Sequence, residues 1–512
     1  MKYCIKDYPE IKEKVEQMSV EDLLRAVICP NIGADQEPPR NTTTVFVHPT
    51  TTECANQVAE KINCDREHRA LIVSDMENGA GDAIVGAIPF PSMRAASEAG
   101  DKTLAYEMGA IAAKEAINAG YHWTFGPCVD ILGNRYSPIV SLRTAGEDAD
   151  TVIEYCGAYM EGLQDNGLIA TLKHFPGDGY SFDDQHLTVS ENPLSREEWD
   201  NSFGRVYGDL IERGAMAIMP GHIALPAYDT PDDRGLYPPA SASKNLLTGL
   251  LRNKLGFEGV IVSDAAEMAG FCGYMNFHHA CAAFLEAGGD CLLFVHESEE
   301  FLREMKRCID EGRLTLEALK TRAYRMICFA QEYFEKHPVG QKVDFDRQAG
   351  EEVCRKMSAG AVKLVRDRNG LLPYKVTADT KIAHVILMNT WCEQSRGPDH
   401  LTAELEKIAA KVEVLRDPGP GYLEALAKSG DYDLIICSVI ETCSWAINTA
   451  RLNGPVCRNM MRGWMRYDTP VVFISYHSVA FEDTYKPVVD TLVNTYGVTK
   501  YTAPAVVDKF FR

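Results

Sequence analysis

The sequence predicts an α/β protein: a (β/α)8-like TIM barrel followed by a smaller three-layer α/β/α sandwich. In the first two-thirds of the chain, short apolar runs alternate with amphipathic stretches, which is the pattern of repeated strand–helix units. Several of these runs end in Asp or His, as strands do at the functional face of a barrel. We therefore expect a barrel domain at 1–335, a linker at 336–350 and a sandwich domain at 351–512.

The barrel strands are predicted from seven short apolar runs. They lie at residues 45–48, 71–75, 122–130, 169–174, 216–219, 260–264 and 291–295. Amphipathic stretches such as 101–119 and 149–166 separate several of them and predict the intervening helices. Seven parallel strands over this length favour a β/α barrel over an open sheet.

The second alternating series begins after a polar stretch with Pro and Gly at 336–347, which is typical of a linker. A helix is predicted at 351–360 and a final helix from Ala503. Strands are predicted near 381–388, 412–415, 434–439 and 471–475. This order predicts a small three-layer α/β domain.

Composition restricts the class of protein. The chain has 512 residues, of which 46% are hydrophobic and 24% charged, as in ordinary globular proteins. Its net charge of -21 argues against nucleic acid or an anionic membrane as a partner, although it leaves room for a local anion pocket. The N-terminus lacks the apolar segment of a signal peptide, and the 16 cysteines form no C-x-x-C pair. We expect reduced, mostly buried thiols and a cytoplasmic location.

The first candidate site follows a predicted strand in the segment KHFPGDG at 173–179. Lys173 and His174 would place two hydrogen-bond donors at the barrel mouth, and Pro-Gly then turns the chain into a loop. In that loop, Asp184 and His186 are two residues apart, close enough for the carboxylate to orient the imidazole ring. The alternative is a solvated acidic loop with a helix cap, and the spacing alone does not choose between them.

Three further segments bring polar side chains to strand ends. Asp264 follows the apolar run of GFEGVIVSDA, where a carboxylate can attack an electrophilic sugar carbon or simply cap the next helix. Asp75 lies at another strand end. Arg143, in SLRTAGED, has a guanidinium that can hold hydroxyls or an anion, or can pair with Glu147 or Asp148 at the surface.

Other signals are weak or missing. Gly79-Ala80-Gly81 and Gly419-Pro420-Gly421 lack the full dinucleotide-binding fingerprint. The sequence contains no Walker A motif, no H-E-x-x-H and no nucleophile elbow, and its histidines form no evident metal set. We expect no cofactor and no metal.

Taken together, these segments resemble glycoside hydrolase family 3, and most of all its β-N-acetylglucosaminidase branch. The likeness is carried by KHFPGDG (173–179), DQH (184–186), LGFEGVIVSDAAEMAG (255–270) and SLRTAGED (141–148). It covers most of residues 15–335 and continues, more loosely but in order, to the end of the chain.

The resemblance implies a retaining exo-β-N-acetylglucosaminidase (β-N-acetylhexosaminidase) that forms a covalent glycosyl intermediate on Asp264. It implies that His186 is the acid/base and that Asp184 is its partner. The implied sugar-binding residues are Asp75, Arg143, Lys173 and His174. The expected substrate is a small glycan, such as a cell-wall fragment or a chito-oligosaccharide.

The chain also departs from the family pattern. The segment after Asp75 lacks a glycine and an arginine usual in the family, which leaves the leaving-group subsite unassigned, and Asp178 stands where the branch often has a second histidine. Three alternatives stay open: a phosphorylase that uses inorganic phosphate as acceptor, a β-glucosidase, and a non-catalytic sugar-binding protein. In a β-glucosidase the acid/base would be expected from the second domain.

Overall fold

The architecture is taken from a computed structural model that describes residues 1–33, 36, 39–63, 69–388, 396–441 and 445–512. The chain divides into two compact units. One comprises Met1–Pro89, Ala105–Gly133 and Gly146–Arg347, and the other comprises Phe90–Leu104, Asn134–Ala145 and Gln348–Arg512.

The first unit contains short strands. They are β1 (Ile28–Cys29), β2 (Asn31–Ile32), β3 (Thr44–Val47), β4 (Thr50–Thr51), β5 (Leu71–Ser74), β6 (Ile84–Val85), β7 (Trp123–Thr124), β8 (Thr171–Phe175), β9 (Ser190–Glu191), β10 (Ala217–Pro220), β11 (Ile223–Ala224), β12 (Val260–Ile261) and β13 (Leu292–Leu293). Every pairing between them is parallel.

These pairings follow the order of a TIM barrel. The segment of β1 and β2 pairs with β3, which pairs with β5, which pairs with β7. A bridge from Trp123 to Ile169 leads to β8, and β10 and β12 follow. A bridge from Val262 to Cys291 leads to β13, which pairs back with β1. The predicted α/β barrel is thus confirmed, with one strand segment more than the seven predicted, the segment of β1 and β2 that Pro30 interrupts.

The helices up to residue 336 include those between the barrel strands. They are α1 (Pro9–Gln17), α2 (Val20–Ala26), α3 (Thr52–Asn63), α4 (Met93–Ala99), α5 (Lys102–Asn118), α6 (Ala149–Asp165), α7 (Arg196–Asn201), α8 (Phe203–Glu212), α9 (Ala269–Cys272), α10 (Phe277–Ala287), α11 (Glu299–Asp310) and α12 (Leu316–Lys336), with a π-helical segment at Asn245–Lys254. Several begin at a side-chain cap, as α6 does at Asp148, whose carboxylate accepts the backbone N–H of Thr151 at 2.9 Å.

The barrel interior is a continuous apolar core. Side chains from successive strands meet there, including Phe46, Val73, Trp123 and Val260, all buried. Each large apolar side chain removed from water contributes about 1.5–3 kcal/mol to stability. The interior therefore holds the strands rigidly and directs the polar residues that follow them to the strand ends.

The second unit contains a six-stranded sheet. Its strands are β14 (Lys363–Asp367), β15 (Lys381–Met388), β16 (Lys411–Arg416), β17 (Leu434–Ile440), β18 (Val471–Ser475) and β19 (Thr491–Asn494). The spatial order is β14-β19-β18-β17-β15-β16, and only the pairing of β14 with β19 is antiparallel. Its later helices are α13 (Arg347–Ala361), α14 (Gly397–Leu405), α15 (Pro420–Ser429), α16 (Ala480–Thr484) and α17 (Thr502–Phe510).

Helices cover both faces of this sheet. Ile382 of β15 packs in a cluster with Leu401 of α14 and Val506 of α17. Its neighbour Ala383 points to the opposite cluster, with Leu423 of α15. Alternate residues of one strand thus face two cores, which confirms the predicted three-layer sandwich.

Within the described ranges, no helix combines the length and the apolarity needed to cross a membrane. Nine of the thirteen cysteines that the structure describes are buried, and none of those thirteen is in a disulfide.

Candidate active site

The polar residues predicted at strand ends come together at the carboxyl end of the barrel. Lys173 and His174 lie in the last part of β8, whose neighbour β10 aligns Met219 with Lys173. Asp264 follows β12, and its backbone N–H donates to the carbonyl of Pro220 at 3.3 Å. In a β/α barrel this end of the strands carries the active site.

Lys173 is held by two carboxylates. Its Nζ lies 3.1 Å from Oδ1 of Asp75 and 2.7 Å from Oε1 of Glu77. The lysine side chain is only 5% exposed, whereas that of Asp75 is 52% exposed. Asp75 therefore keeps surface with which to accept hydrogen bonds from a ligand. The sequence did not assign Glu77 a role, although it lies in the same strand-end segment.

His174 lies between two carboxylates. Its Nδ1 is 2.7 Å from Oδ2 of Asp130, and its Nε2 is 4.0 Å from Oδ2 of Asp264. Because an ionised carboxylate only accepts, Nδ1 donates to Asp130, and this fixes the position of the ring. Asp130 ends the predicted strand at 122–130, but the sequence assigned it no role in the site.

Asp130 accepts hydrogen bonds from three residues. Oδ1 accepts the backbone N–H groups of His174 at 3.1 Å and Asp178 at 2.8 Å, and Oδ2 also accepts from the Cys128 thiol at 3.2 Å. Burial on its own would raise the pKa of Asp130, but His174 and these hydrogen bonds bring it below the ordinary value. The carboxyl is therefore an ionised, buried anchor.

In the described part of the chain, one group of side chains has ligand atoms spaced for a metal ion. The ligand atoms of Cys128, Asp130 and His174 lie within 4.8 Å of one another. Oδ2 of Asp130 binds both the thiol and the imidazole directly. These direct hydrogen bonds account for the short distances among the three side chains.

His186 and Asp184 form a close pair. Oδ1 of Asp184 lies 2.6 Å from Nδ1 of His186 and also accepts the backbone N–H of His186 at 2.9 Å. The Asp184 side chain is fully buried, whereas that of His186 is 26% exposed. Asp184 therefore does not behave as part of a solvated acidic loop, since its carboxylate is directed to the histidine.

The loop that carries this pair is bonded to the loop that follows Asp264. The backbone N–H of Ala269 donates to the carbonyl of His186 at 3.1 Å. A Cβ at Gly270 would overlap the carbonyl oxygen of Gln185, so the two loops approach more closely than any larger residue permits. This contact links the backbone of His186 to the loop that follows Asp264.

A second buried histidine supports the same loop. Nε2 of His222 donates to the carbonyl of Ala265 at 3.1 Å, and its Nδ1 lies 2.8 Å from the Ser241 hydroxyl. Burial lowers the pKa of His222, so the ring is neutral. We assign it to support of the chain around Asp264.

Basic groups lie near Asp264. Burial alone would raise its pKa, but His174, His186 and Lys173 bring the pKa below that of an ordinary aspartate. The carboxylate is therefore ionised at neutral pH. An ionised carboxylate is the form that attacks an electrophilic carbon.

Arg143 belongs to the other compact unit. It ends a 3-10 turn, Ser141–Arg143, and its Nη1 donates to the carbonyl of Ile139 at 3.5 Å. Asp148, one of the two surface partners considered for it, caps α6. The role of Arg143 in sugar binding stays a prediction.

Residues 11–328 match the model of the Glycosyl hydrolase family 3 N terminal domain. The chain belongs to this family. A beta-N-acetylglucosaminidase/beta-glucosidase of Cellulomonas fimi is 31% identical over 458 residues, which are 83% of this chain and 78% of that protein. A beta-hexosaminidase of Chromobacterium violaceum is 31% identical over 247 residues, 47% of this chain and 67% of its own length.

Solved structures are also similar to this chain. The beta-glucoside phosphorylase BglX bound to 2FGlc has a TM-score of 0.88 and 26% identity, with 100% of this chain and 96% of that one covered. A family 3 beta-N-acetylglucosaminidase from Paenibacillus sp. str. FPU-7 has a TM-score of 0.81 and 20% identity, covering 96% of each chain. The second likeness supports the fold alone.

Proposed function

We propose that this family 3 glycoside hydrolase is a retaining exo-β-N-acetylglucosaminidase, which removes terminal β-linked N-acetylglucosamine from small glycans. The observation that carries the proposal is the 2.6 Å contact of Asp184 with Nδ1 of His186, on a loop bonded to the one that follows Asp264. An acid/base and a carboxylate nucleophile are the two groups that retaining glycosidases need. The names of the relatives from Cellulomonas fimi and Chromobacterium violaceum agree with this substrate.

In the first step, an Oδ atom of Asp264 attacks the anomeric carbon of the sugar and forms an ester bond. The bond from that carbon to the glycosidic oxygen breaks, and His186 gives its proton to the departing oxygen. Because Nδ1 of His186 is bound by Asp184, Nε2 is the atom that transfers the proton. The Asp184 carboxylate stabilises the protonated ring.

In the second step, neutral His186 takes a proton from water. The water oxygen attacks the anomeric carbon, and the ester bond to Asp264 breaks. Two inversions at one carbon retain the β configuration. Lys173, His174 and Asp75 are proposed to hold the hydroxyls of the sugar, with Arg143 as a fourth contact.

The experiment is a panel of chromogenic β-glycosides of N-acetylglucosamine, glucose and galactose. We expect the N-acetylglucosaminide to have the highest kcat/KM, with the β-anomer of the free sugar as first product by NMR. Preference for the glucoside would replace the proposal by a β-glucosidase. Binding of the sugar without turnover would indicate a non-catalytic protein.

A second candidate is a phosphorylase that transfers the same sugar to inorganic phosphate. The similarity to the beta-glucoside phosphorylase BglX over the whole chain favours it. A carboxylate acid/base would be anionic when phosphate arrives and would repel it, whereas a neutral histidine does not. Phosphate attacks without losing a proton, so no base is needed in the second step.

Rising phosphate concentration separates the two candidates. With the activated N-acetylglucosaminide as donor, a hydrolase forms free N-acetylglucosamine at every phosphate concentration. A phosphorylase forms the sugar 1-phosphate at millimolar phosphate. Direct measurement of both products therefore decides which acceptor the glycosyl-enzyme uses.

We propose a cytoplasmic location as well. Nine of the thirteen described cysteines are buried free thiols, which suits a reducing compartment. Fractionation of the source cells, followed by immunodetection, tests this point.

A further inference from the structure

A cavity of ≈ 380 Å³ lies beside the loop that carries His186. Its volume falls in the range of about 300–1,000 Å³ that is usual for small-molecule sites. We propose that it binds the leaving-group sugar of the substrate and selects a neutral sugar over one that carries a carboxylate. This inference rests on the proposed function and assigns it a leaving-group class.

The position of the cavity follows from the chemistry of His186. A general acid must approach within about 2.6–3.2 Å of the atom that it protonates, here the oxygen of the leaving group. The cavity begins at Leu187, the next residue along the chain. It also includes Ala269, whose N–H donates to the carbonyl of His186 at 3.1 Å. The cavity therefore adjoins the backbone of His186, and we assign it the space next to the leaving-group oxygen.

The walls suit the faces of a pyranose ring. Leu187 and Leu236 line the cavity with 47% and 51% of their surface exposed, which is high for large apolar side chains. Tyr237 and Tyr274 add aromatic surface. A sugar ring has apolar C–H faces that bury such surface, while its hydroxyls stay in contact with polar groups and water.

Among the described residues that line the cavity, one side chain is basic, Arg234, and one is acidic, Glu191. Arg234 is already engaged: its Nη2 and Nε lie 2.7 Å and 2.9 Å from Oδ2 of Asp232. Its guanidinium also lies over the ring of Tyr274, 4.7 Å from the centroid. The hydroxyl of Tyr274 donates to the same Asp232 oxygen at 2.9 Å.

This arrangement disfavours a charged leaving group. The charge of Arg234 is balanced by Asp232, so Glu191 leaves the cavity with a net negative charge. A carboxylate on the leaving-group sugar would meet like charge, which opposes binding. A neutral amino sugar or hexose meets no such opposition.

Three substrates test the inference on the intact chain. N-acetylglucosaminyl fluoride has a leaving group of one atom, so its turnover reports on Asp264 and the first sugar site without the cavity. N,N′-diacetylchitobiose carries a neutral leaving-group sugar. A β-linked N-acetylglucosaminyl-N-acetylmuramic acid disaccharide carries an anionic one.

We expect the wild-type chain to prefer chitobiose over the anionic disaccharide by at least about tenfold in kcat/KM, the size of effect that one unfavourable charge contact produces. Leu236→Ala and Tyr237→Ala should each lower the ratio of chitobiose to fluoride kcat/KM by at least about fivefold, because only chitobiose loses buried contact area. Glu191→Lys should raise the kcat/KM of the anionic disaccharide relative to chitobiose. Leu316→Ala, at a leucine of similar exposure on α12, should change neither ratio.

The inference would be overturned if both cavity variants kept the wild-type ratio of chitobiose to fluoride kcat/KM. It would also be overturned if the wild type preferred the anionic disaccharide. In either case, turnover of the fluoride would still support the proposed function. Failure of the wild type on all three substrates would overturn the proposed function and this inference together. Leu236 is half exposed, so Leu236→Ala keeps the test valid if Tyr237→Ala does not fold.

Discussion

Nδ1 of His174 lies 2.7 Å from Oδ2 of Asp130, a carboxyl without exposed side-chain surface. The other ring nitrogen, Nε2, is directed toward Asp264 at 4.0 Å. Asp130 thus fixes both the tautomer and the orientation of a ring that faces the proposed nucleophile. We regard Asp130 as a positioning residue, since it acts through His174 and not on the sugar.

Replacing Asp130 tests this role. In Asp130→Asn, the amide brings a donor to a site surrounded by donors, so the His174 ring should turn away from its present position. A displacement of about 1 Å near the reacting atoms costs on the order of 10²-fold in rate, and we expect kcat/KM to fall by about that much. The lost acceptor should lower the free energy of unfolding by about 1–3 kcal/mol.

If Asp130 had only a structural role, Asp130→Asn would lower the free energy of unfolding and leave kcat/KM unchanged. The pH profile of kcat/KM separates the two cases, because His174 is the first of the neighbouring groups that lower the pKa of Asp264. In Asp130→Asn the acid limb of the profile should move to higher pH. The exposed Asp310→Asn, at the end of α11, is the matched control and should keep the wild-type profile. A destabilised variant with wild-type kcat/KM and an unmoved acid limb would refute positioning.

Asp264 is predicted to carry the covalent intermediate. Asp264→Asn should lower kcat by at least about 10⁴-fold, a barrier increase of about 5.4 kcal/mol, because the amide is a poor nucleophile. Mass spectrometry after incubation with a fluorinated N-acetylglucosaminide should find one added sugar on the peptide that contains Asp264, and none in the variant. Far-UV circular dichroism verifies that the variant is folded. Labelling of a different residue would contradict the assignment.

His186 is predicted to act as the acid in the first step. His186→Gly should slow chitobiose, which has a poor leaving group, by about 10²–10⁴-fold, the usual contribution of general acid catalysis. An activated aryl glycoside needs no proton on its leaving group and should lose far less in the first step. Asp184→Asn should give the same selective pattern to a smaller extent, since it removes the partner at 2.6 Å. Equal losses on both substrates would indicate a structural loop instead.

Some parts of this site could be predicted from local sequence. Asp264 ends an apolar run, and Asp184 and His186 are two residues apart, so the backbone itself brings their side chains together. The barrel and the sandwich could be predicted because each arises from one continuous chain segment in which apolar runs alternate with amphipathic stretches. β1 was not predicted because Pro30 follows it directly, and Pro is unusual inside a strand.

Other parts depend on contacts between distant segments. Asp130 and His174 are 44 residues apart, and they meet because Cys128 and Lys173 are bridged as neighbouring strand residues. The cavity beside His186 is built from residues near 187, 234 and 274, which no motif connects. Strand register and loop packing bring these distant residues together, and neither can be read from local sequence.

Asp82, in the segment after β5, predicts a pH-dependent stability. Burial, together with the nearby Glu77 and Asp75, raises the pKa of Asp82 to about 7, against the lowering effect of the Asn78 backbone N–H at 2.7 Å. An aspartate in the unfolded chain titrates near about 3.9. Between these two values the folded state binds more protons than the unfolded state. The free energy of unfolding contributed by Asp82 is therefore fully present below about pH 4 and is lost as pH rises toward 7.

Asp82→Asn removes this titration and should flatten the loss of stability between pH 5 and pH 8. Each unit of pKa difference corresponds to about 1.4 kcal/mol, so the variant should lose at least about 1 kcal/mol less than the wild type over that interval. Urea unfolding followed by tryptophan fluorescence at the two pH values measures the difference, and Asp310→Asn should follow the wild type. If Asp82→Asn and the wild type lose the same free energy, Asp82 is ionised throughout. Asp75, Glu77 and Asp82 are then all charged, and the segment after β5 is more acidic than we infer.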